Sequence, residues 1–345
     1  MVQTGKFKGV DLKILKVNFL SDLYALRKIV GVNGALNATM RQAKEMENYV
    51  KVIFNKYGDG YDMIHCHGCF PYTSHLLKRG RKSKKPAILS LHQNHHDVDH
   101  SFLFSKPLSQ IFKLYLKRYC THSDMIICPT EYSKQIAKKE LGIKKPIRLI
   151  SNGIETQKFN YSLEKRVKFR KRYGLNKPTI LNVGMPTTRK GFFDFIQFSR
   201  RLKDLYFIWV GTRAFPIIQP NYKINFKNFI MPGFVEDIVS AYSGCDIFCF
   251  PSYYEGEGIA ILEAISCGLP IIIRDLSVYD GRFTDGDNCL KARTNKEFIE
   301  NINFLLDNPD ECKRIAKNGL KTAKKFDIKN TGKQIFELYM ELIES

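Results

Sequence analysis

The sequence has no apolar run approaching the roughly 20 residues needed to cross a bilayer. Its opening segment, Met1 to Val10, is basic and polar and lacks the apolar core of a secretory signal. There is no short repeat and no low-complexity tail. Nine cysteines, an odd number and scattered, do not make a disulfide framework; Cys128 and Cys249 fall in predicted strands, where a thiol packs as a small hydrophobe. These absences lead to the expectation of a cytoplasmic protein, soluble or peripheral on a membrane. One cluster, His65-Cys66-His67-Gly68-Cys69, contains a C-x-x-C and two histidines. No second ligand pair stands at zinc-finger spacing, so no metal is assigned to it.

Acidic residues are scarce in one half only. Residues 1–175 carry 33 Lys+Arg against 13 Asp+Glu, whereas residues 176–345 carry 22 against 21. Nearly all of the net charge of +21 therefore sits on the first half. A general lysine bias would load both halves. A field of this kind attracts a polyanion, either nucleic acid or an anionic membrane surface.

The 345 residues suffice for two domains of ordinary size. Short apolar runs at 12–19, 63–66, 87–91, 125–128 and 147–150 read as strands, with helices over 36–57, 70–78, 108–122 and 133–140. The pattern then repeats. Strands at 179–183, 206–210, 229–231, 247–250 and 270–274 alternate with helices over 191–202, 235–243, 259–267, 295–307 and 311–325. Alternating β and α units with short apolar strands imply an α/β protein with parallel sheets, and two such blocks imply two Rossmann-like domains. The boundaries expected are 1–165, 166–328 and a final amphipathic helix 329–345 packing back across the junction, with the charged stretch 161–177 as linker.

Two segments carry chemistry. In Ser252-Tyr253-Tyr254-Glu255-Gly256-Glu257-Gly258-Ile259-Ala260-Ile261-Leu262-Glu263, two acids stand eight residues apart around a Gly-x-Gly turn. A helix starting near Gly258 would leave unpaired N–H groups for a phosphate, while a carboxylate accepts hydrogen bonds from sugar hydroxyls. The second segment, Gly184-Met185-Pro186-Thr187-Thr188-Arg189-Lys190-Gly191, follows the first strand of the second block. Two cations and a helix start at the carboxyl end of a strand suit a diphosphate.

Gly184…Arg189-Lys190-Gly191, Glu255-x7-Glu263 and Gly268-x-Pro270 together resemble the retaining glycosyltransferases of family 4, as does Ser151-Asn152-Gly153-Ile154 with Phe159. Segments 206–211, 255–259, 273–279 and 128–133, with Ser101-Phe102 after His92, look like the bacterial diacylglycerol glucosyltransferases within that family. The resemblance implies a GT-B fold, with two Rossmann-like domains facing across a cleft. It also implies a nucleotide-sugar donor, UDP-glucose by the subgroup likeness, and transfer to a lipid hydroxyl such as that of diacylglycerol. A polysaccharide or other non-lipid acceptor suits the same motifs.

By the same resemblance Lys190, with Arg189, neutralises the donor diphosphate; Glu263 holds the ribose; and Glu255 touches the moving sugar. Gly256, Glu257, Gly258 and Ile259 offer backbone to sugar and phosphate, Gly184 lies at the turn, and Gly31 and Gly34 match the first-domain glycine loop. His92 matches the histidine beside the sugar, so the catalytic group is His92, Lys190 and Glu255. Many relatives carry arginine where this chain has Met185. No cofactor or metal is expected. The D-x-D of His95-His96-Asp97-Val98-Asp99-His100 lies in the first domain, far in sequence from Lys190.

The basic field concentrates in Lys78, Arg79, Arg81, Lys82, Lys84 and Lys85, and in the amphipathic segment bearing Lys113, Lys117 and Arg118. Apolar and basic faces together suit an anionic membrane at the inner face of the cell. A nucleic-acid-binding module would explain the charge but not the glutamate pair or Lys190, so nucleic acid is not an expected partner. Nothing in the sequence sets an oligomeric state.

Overall fold

The computed structural model describes residues 6–7, 10–11, 15–25, 34–98, 105–212 and 226–344. The chain divides into two compact units. One runs to Gly153, apart from residues 100–105, and takes the chain back from Phe326 onward; the other holds Ile154–Lys325.

In the first unit a short antiparallel pair, β1 (Lys6–Phe7) and β2 (Val10–Asp11), precedes the sheet. The sheet strands are β3 (Lys16–Leu20), β4 (Lys51–Phe54), β5 (Met63–Cys66), β6 (Ala87–Ser90), β7 (Met125–Cys128) and β8 (Ile147–Leu149). They pair in parallel in the order β4-β3-β5-β6-β7-β8. Successive side chains point to opposite faces. Ile64, Cys66, Leu89 and Ile126 pack under the helices Pro71–Lys82 and Ser105–Cys120 through Leu76, Leu77, Leu116 and Tyr119. Val17, Phe19, Met63, Ile88 and Ile127 pack on the other face against Ala43 and Met46 of the helix Gly34–Met46. The last helix, Ile328–Glu344, covers that same face with Ile335, Leu338 and Tyr339. With both faces covered, the strands read as continuous apolar runs.

The second unit contains β9 (Thr179–Val183), β10 (Tyr206–Val210), β11 (Phe229–Gly233), β12 (Ile247–Phe250), β13 (Ile271–Arg274) and β14 (Leu290–Ala292). Their order is β11-β10-β9-β12-β13-β14, all parallel. This is the doubly wound Rossmann order, and its topological switch point lies between β9 and β12. Trp209, Phe207 and Ile180 pack with Phe192, Phe195 and Phe198 in an aromatic layer on one face.

Several expectations change. The single helix over 36–57 is a helix ending at Met46 followed by β4, where Val52, Ile53 and Phe54 pair with β3. Strand β14 goes unanticipated because Lys291 interrupts its short apolar run. The 12–19 strand begins at Lys16, and 12–14 lie outside the described residues. The stretch 161–177 holds the helix Leu163–Tyr173 instead of a linker. Ser162 caps its start by accepting from Lys165 N, and Gly174 ends it in the left-handed region. Phe169 packs so closely on Gly244 that a Cβ there would stand 2.3 Å from its ring. Two of the helix's cations, Arg166 and Arg170, converge on Asp246 at 2.6 and 3.2 Å. The change of unit falls earlier, at Gly153/Ile154, where Ile154 and Phe159 are already buried.

Candidate active site

The site is built at the carboxyl ends of β9 and β12. Strand β9 ends at Val183 and the chain turns through Gly184, whose N–H donates to Val210 O and whose carbonyl accepts from Trp209 Nε1 at 2.8 Å. Thr187 caps the 3₁₀ turn Thr188–Lys190 by accepting from Lys190 N. Gly191 follows at φ 75°. A Cβ at Gly191 would meet Pro251 O at 2.4 Å, so only glycine lets this turn lie against the loop after β12.

That close approach joins the two motifs. Lys190 Nζ donates to Glu255 Oε1 at 2.5 Å, and Ser252 Oγ donates to the same oxygen at 2.6 Å. The Lys190 side chain retains 18% exposure and that of Glu255 7%. The ammonium also lies 5.3 Å from the Phe250 ring centroid. Arg189 serves the loop as well: Nη1 donates to Tyr254 O at 3.0 Å, while its own carbonyl accepts from Tyr253 N.

The helix Ile259–Ser266 begins after Gly258, which stands at φ 83°. Glu263 is half-buried inside it, and its Oε2 accepts from the Tyr242 hydroxyl at 3.0 Å. Gly256 and Ile259 are half-buried along the same turn. Sequence reasoning assigned Glu257 only a backbone role. Its buried carboxylate accepts from Arg282 Nη1 at 3.0 Å, a partner 25 residues on that no local pattern announces. Met185 is exposed.

Two further residues lie in the segment 273–279 that carries the resemblance, but sequence reasoning assigned them no role. Arg274, at the end of β13, is buried and donates to Pro251 O at 3.1 Å, to Arg293 O at 2.8 Å and to Asp194 Oδ2 at 3.4 Å. Its guanidinium sits 3.9 Å from the Tyr253 ring centroid. It therefore holds both ends of the loop that leads into Glu255. Tyr279 lies against Gly258, with its ring carbon 3.2 Å from where a Cβ would stand. Its buried hydroxyl has no hydrogen-bond partner among the described residues. Burial, and to a lesser degree the Glu255 carboxylate, push its pKa well above 10.

In the first unit, His92 follows β6 and stacks on His67, with Nε2 3.0 Å from His67 Nδ1. A small cavity lined by Leu23, His67, Gly68, Cys69, Leu91 and His92 opens beside them. His65, one turn of the pleat away, bonds Tyr339 O–H at 2.6 Å and Ser90 Oγ at 2.8 Å. Cys66 Sγ lies 2.8 Å from Tyr119 O–H, so the C-x-x-C cluster is packed into protein partners. Gly34 opens the helix Gly34–Met46 and is exposed; Gly31 lies outside the described residues.

Burial lowers all three imidazoles. His65 falls to about 3, with His92 adding to the effect; His92 falls to about 4, against the opposing hydrogen bond of Asn152; His67 falls well below its ordinary value near 6.5. Folded pKa values below the unfolded ones mean that the neutral rings stabilise the fold fully above pH 6.5. That stability is lost as the pH falls toward 4, because unfolding then takes up protons. Urea midpoints measured from pH 7.5 to 4 should drop across this window, and His65→Asn should make the drop shallower. A flat profile for the wild-type chain would contradict the assignment.

Among the basic residues, Lys78, Arg79, Lys82, Lys84, Lys117 and Arg118 are exposed. Arg81, Lys85 and Lys113 are half-buried, and Arg81 is committed to Asp124 at 2.6 Å. The helix Ser105–Cys120 turns Leu116, Tyr119 and Cys120 inward but leaves Leu108, Ile111 and Leu114 exposed at 45, 64 and 69%. Among the described residues, no helix is long and apolar enough to cross a membrane.

Two six-stranded parallel sheets, each in its own unit, with a cation–carboxylate pair at the switch point of the second, define a GT-B glycosyltransferase. Residues 20–158 match the family model described as Glycosyltransferase Family 4, and residues 165–322 match that for glycosyl transferases group 1. The chain belongs to the family 4 glycosyltransferases and is a hexosyltransferase. A processive diacylglycerol alpha-glucosyltransferase from Acholeplasma laidlawii is 33% identical over 294 residues, covering 83% of this chain and 87% of that protein. Alpha-galactosylglucosyldiacylglycerol synthase from Streptococcus pneumoniae is 27% identical over 332 residues, covering 89% of this chain and 86% of that protein. Among solved structures, Anabaena HepE in complex with UDP-glucose superimposes with a TM-score of 0.76 at 17% identity, over 95% of this chain and all of that one.

Proposed function

We propose that this enzyme transfers glucose from UDP-glucose to the hydroxyl of a diacylglycerol-type lipid, with retention of configuration, at an anionic membrane surface. The observation that carries the donor half is the Lys190–Glu255 pair at the switch point, where a diphosphate would meet a preorganised cation. In this reading Lys190 exchanges its bond to Glu255 for the phosphate oxygens, and Glu255 turns its freed oxygen to the sugar. Glu263 accepts from ribose, with Tyr242 orienting it. Arg189 fixes the loop through Tyr254 and adds positive field. Gly184 and the backbone from Gly256 to Ile259 approach sugar and phosphate, and Gly34 offers backbone from the start of the helix Gly34–Met46.

The chemical step breaks the bond from the anomeric carbon to the phosphate oxygen while the acceptor oxygen bonds to the same face of that carbon. The acceptor proton passes to the leaving phosphate oxygen. Lys190 stabilises the charge that develops there. His92, held neutral, is suited to hydrogen-bond the sugar without adding charge. The transfer uses no metal.

The acceptor half rests on the relatives that act on diacylglycerol lipids and on the exposed Leu108, Ile111 and Leu114 beside Lys113, Lys117 and Arg118. An apolar stripe flanked by cations suits the interface of an anionic leaflet. The exposed Lys78, Arg79, Lys82 and Lys84 extend the field, with Arg81 and Lys85 between them. Nine unpaired thiols fit the reducing, cytoplasmic face of that membrane.

The test is transfer from labelled UDP-glucose to diacylglycerol in phosphatidylglycerol vesicles, with EDTA present and the product anomer read by NMR. The expected product is an α-glucosyl lipid, formed faster on anionic than on neutral vesicles. A β-linked product would sink the retaining mechanism. Preference for a soluble saccharide acceptor would sink the lipid reading, and loss of activity in EDTA that Mg²⁺ or Mn²⁺ restores would sink metal independence of the transfer.

A further inference from the structure

We propose that His95, His96 and Glu140 form a binding site for a zinc-class divalent cation in the first unit, distinct from the donor site. After β6 the chain makes the single 3₁₀ turn His95–Asp97. A reciprocal cap locks that turn: Asn94 Oδ1 accepts from His96 N and Asp97 Oδ2 accepts from Asn94 N, both at 2.9 Å. Ser109 Oγ adds a bond to His95 O at 3.0 Å. Two successive imidazoles are thereby held with ring centroids 4.0 Å apart.

Glu140 arrives from a different element. It ends the helical segment after β7, where residues 136–140 take the wider π turn and Leu141 N donates to Ile136 O. Such a π turn rotates the residues beyond it and often marks a functional position. Here it delivers Glu140 Oε2 to 3.1 Å from His95 Nε2 and 3.0 Å from His96 Nε2. One ligand atom from each of the three residues lies within 4.8 Å of the others.

Bonds of about 2.0–2.1 Å in a tetrahedral site put ligand atoms roughly 3.3 Å apart. The two nitrogen–oxygen edges therefore need to open by only a few tenths of an ångström. Two neutral imidazoles and one carboxylate suit zinc and its neighbours, whereas magnesium and calcium favour all-oxygen sets. The His95 side chain is 2% exposed and rigidly held, while His96 and Glu140 retain 31 and 37%, which leaves a path for the ion and a fourth position for water.

The D-x-D reading of this segment does not describe the ligand set, because Asp97 is committed to the cap. The carboxylate comes from Glu140, and only the fold brings it there. A bound ion would fasten the loop that carries His92 to the segment after β7.

The test uses the full chain, stripped with chelator, exchanged into metal-free buffer and titrated with Co²⁺, followed by Zn²⁺ in competition. The expected result is one Co²⁺ per chain, with the relatively intense visible d–d absorption of a tetrahedral ion and no thiolate charge-transfer band, displaced by Zn²⁺. His96→Ala and Glu140→Gln should each weaken binding at least about tenfold while far-UV circular dichroism stays unchanged. Zn²⁺ should raise the melting temperature of the wild type and of neither variant. Absence of uptake would show two imidazoles merely donating to a carboxylate and would overturn the proposal. Equal uptake by both variants, or a thiolate band, would also overturn it.

Discussion

Replacing Lys190 with alanine should lower turnover at saturating donor by about two to three orders of magnitude. The ammonium is the cation nearest Glu255 at the switch point, 2.5 Å from its oxygen and little exposed. A half-desolvated charge aimed where the diphosphate departs is worth far more than the same charge in water. Removing it also leaves the buried Glu255 carboxylate with the Ser252 hydroxyl as its remaining donor among the described residues, which costs stability. Lys190→Ala/Glu255→Gln separates the two effects by removing the stranded charge. The double variant should recover the wild-type unfolding midpoint to a large extent and stay inactive. Glu255→Gln alone should bind UDP at least as well as the wild type, since Lys190 is released to the phosphates, yet transfer poorly. Turnover of Lys190→Ala within a few-fold of wild type would refute its role.

Arg274→Met should destabilise the second unit by about 3–5 kcal/mol, the usual cost of stranding one member of a buried ion pair. Asp194 is left behind, buried, with only neutral side-chain partners among the described residues, Asn295 donating at 2.9 Å and the Tyr253 hydroxyl. Pro251 O and Arg293 O lose their guanidinium donors together. For a unit of this size the loss corresponds to roughly 10 °C in its thermal transition. Adding Asp194→Asn should restore part of it. The variant should also raise KM for the donor, because Arg274 anchors Pro251 and stacks on Tyr253 at the entrance to the Glu255 loop. Urea unfolding read together with donor kinetics checks both. A midpoint shift equivalent to less than 1 kcal/mol would contradict the ion-pair account, and a KM change without any stability change would limit Arg274 to the site.

Strands β5, β6, β7, β9, β10 and β12 were legible in the sequence because parallel strands covered on both faces are short continuous apolar runs. Gly184, Lys190, Gly258 and Glu263 could be singled out as candidates because ligands of such sheets bind past the strand ends, and the structure places them after β9 and β12. Strand β4 was not, since Val52, Ile53 and Phe54 follow a helix directly and earn their extended form by pairing with β3. The helix Leu163–Tyr173 was masked by its charge; two of its cations, Arg166 and Arg170, pair with Asp246, 80 and 76 residues away. Arg282 beside Glu257 and Glu140 beside His95 and His96 likewise have no local signature.

By itself the sequence determined that this chain forms two parallel-sheet units with a lysine and two glutamates past the strand ends. Backbone periodicity and glycine placement are local properties, and they suffice for that. Only the tertiary structure decided that Lys190 meets Glu255. The two are 65 residues apart, and β10 and β11 come between them in the chain. The sheet order sends β10 and β11 to one side of β9 and brings β12 to the other. Glycine at 191 then lets the two loops touch, because any side chain there would collide with Pro251.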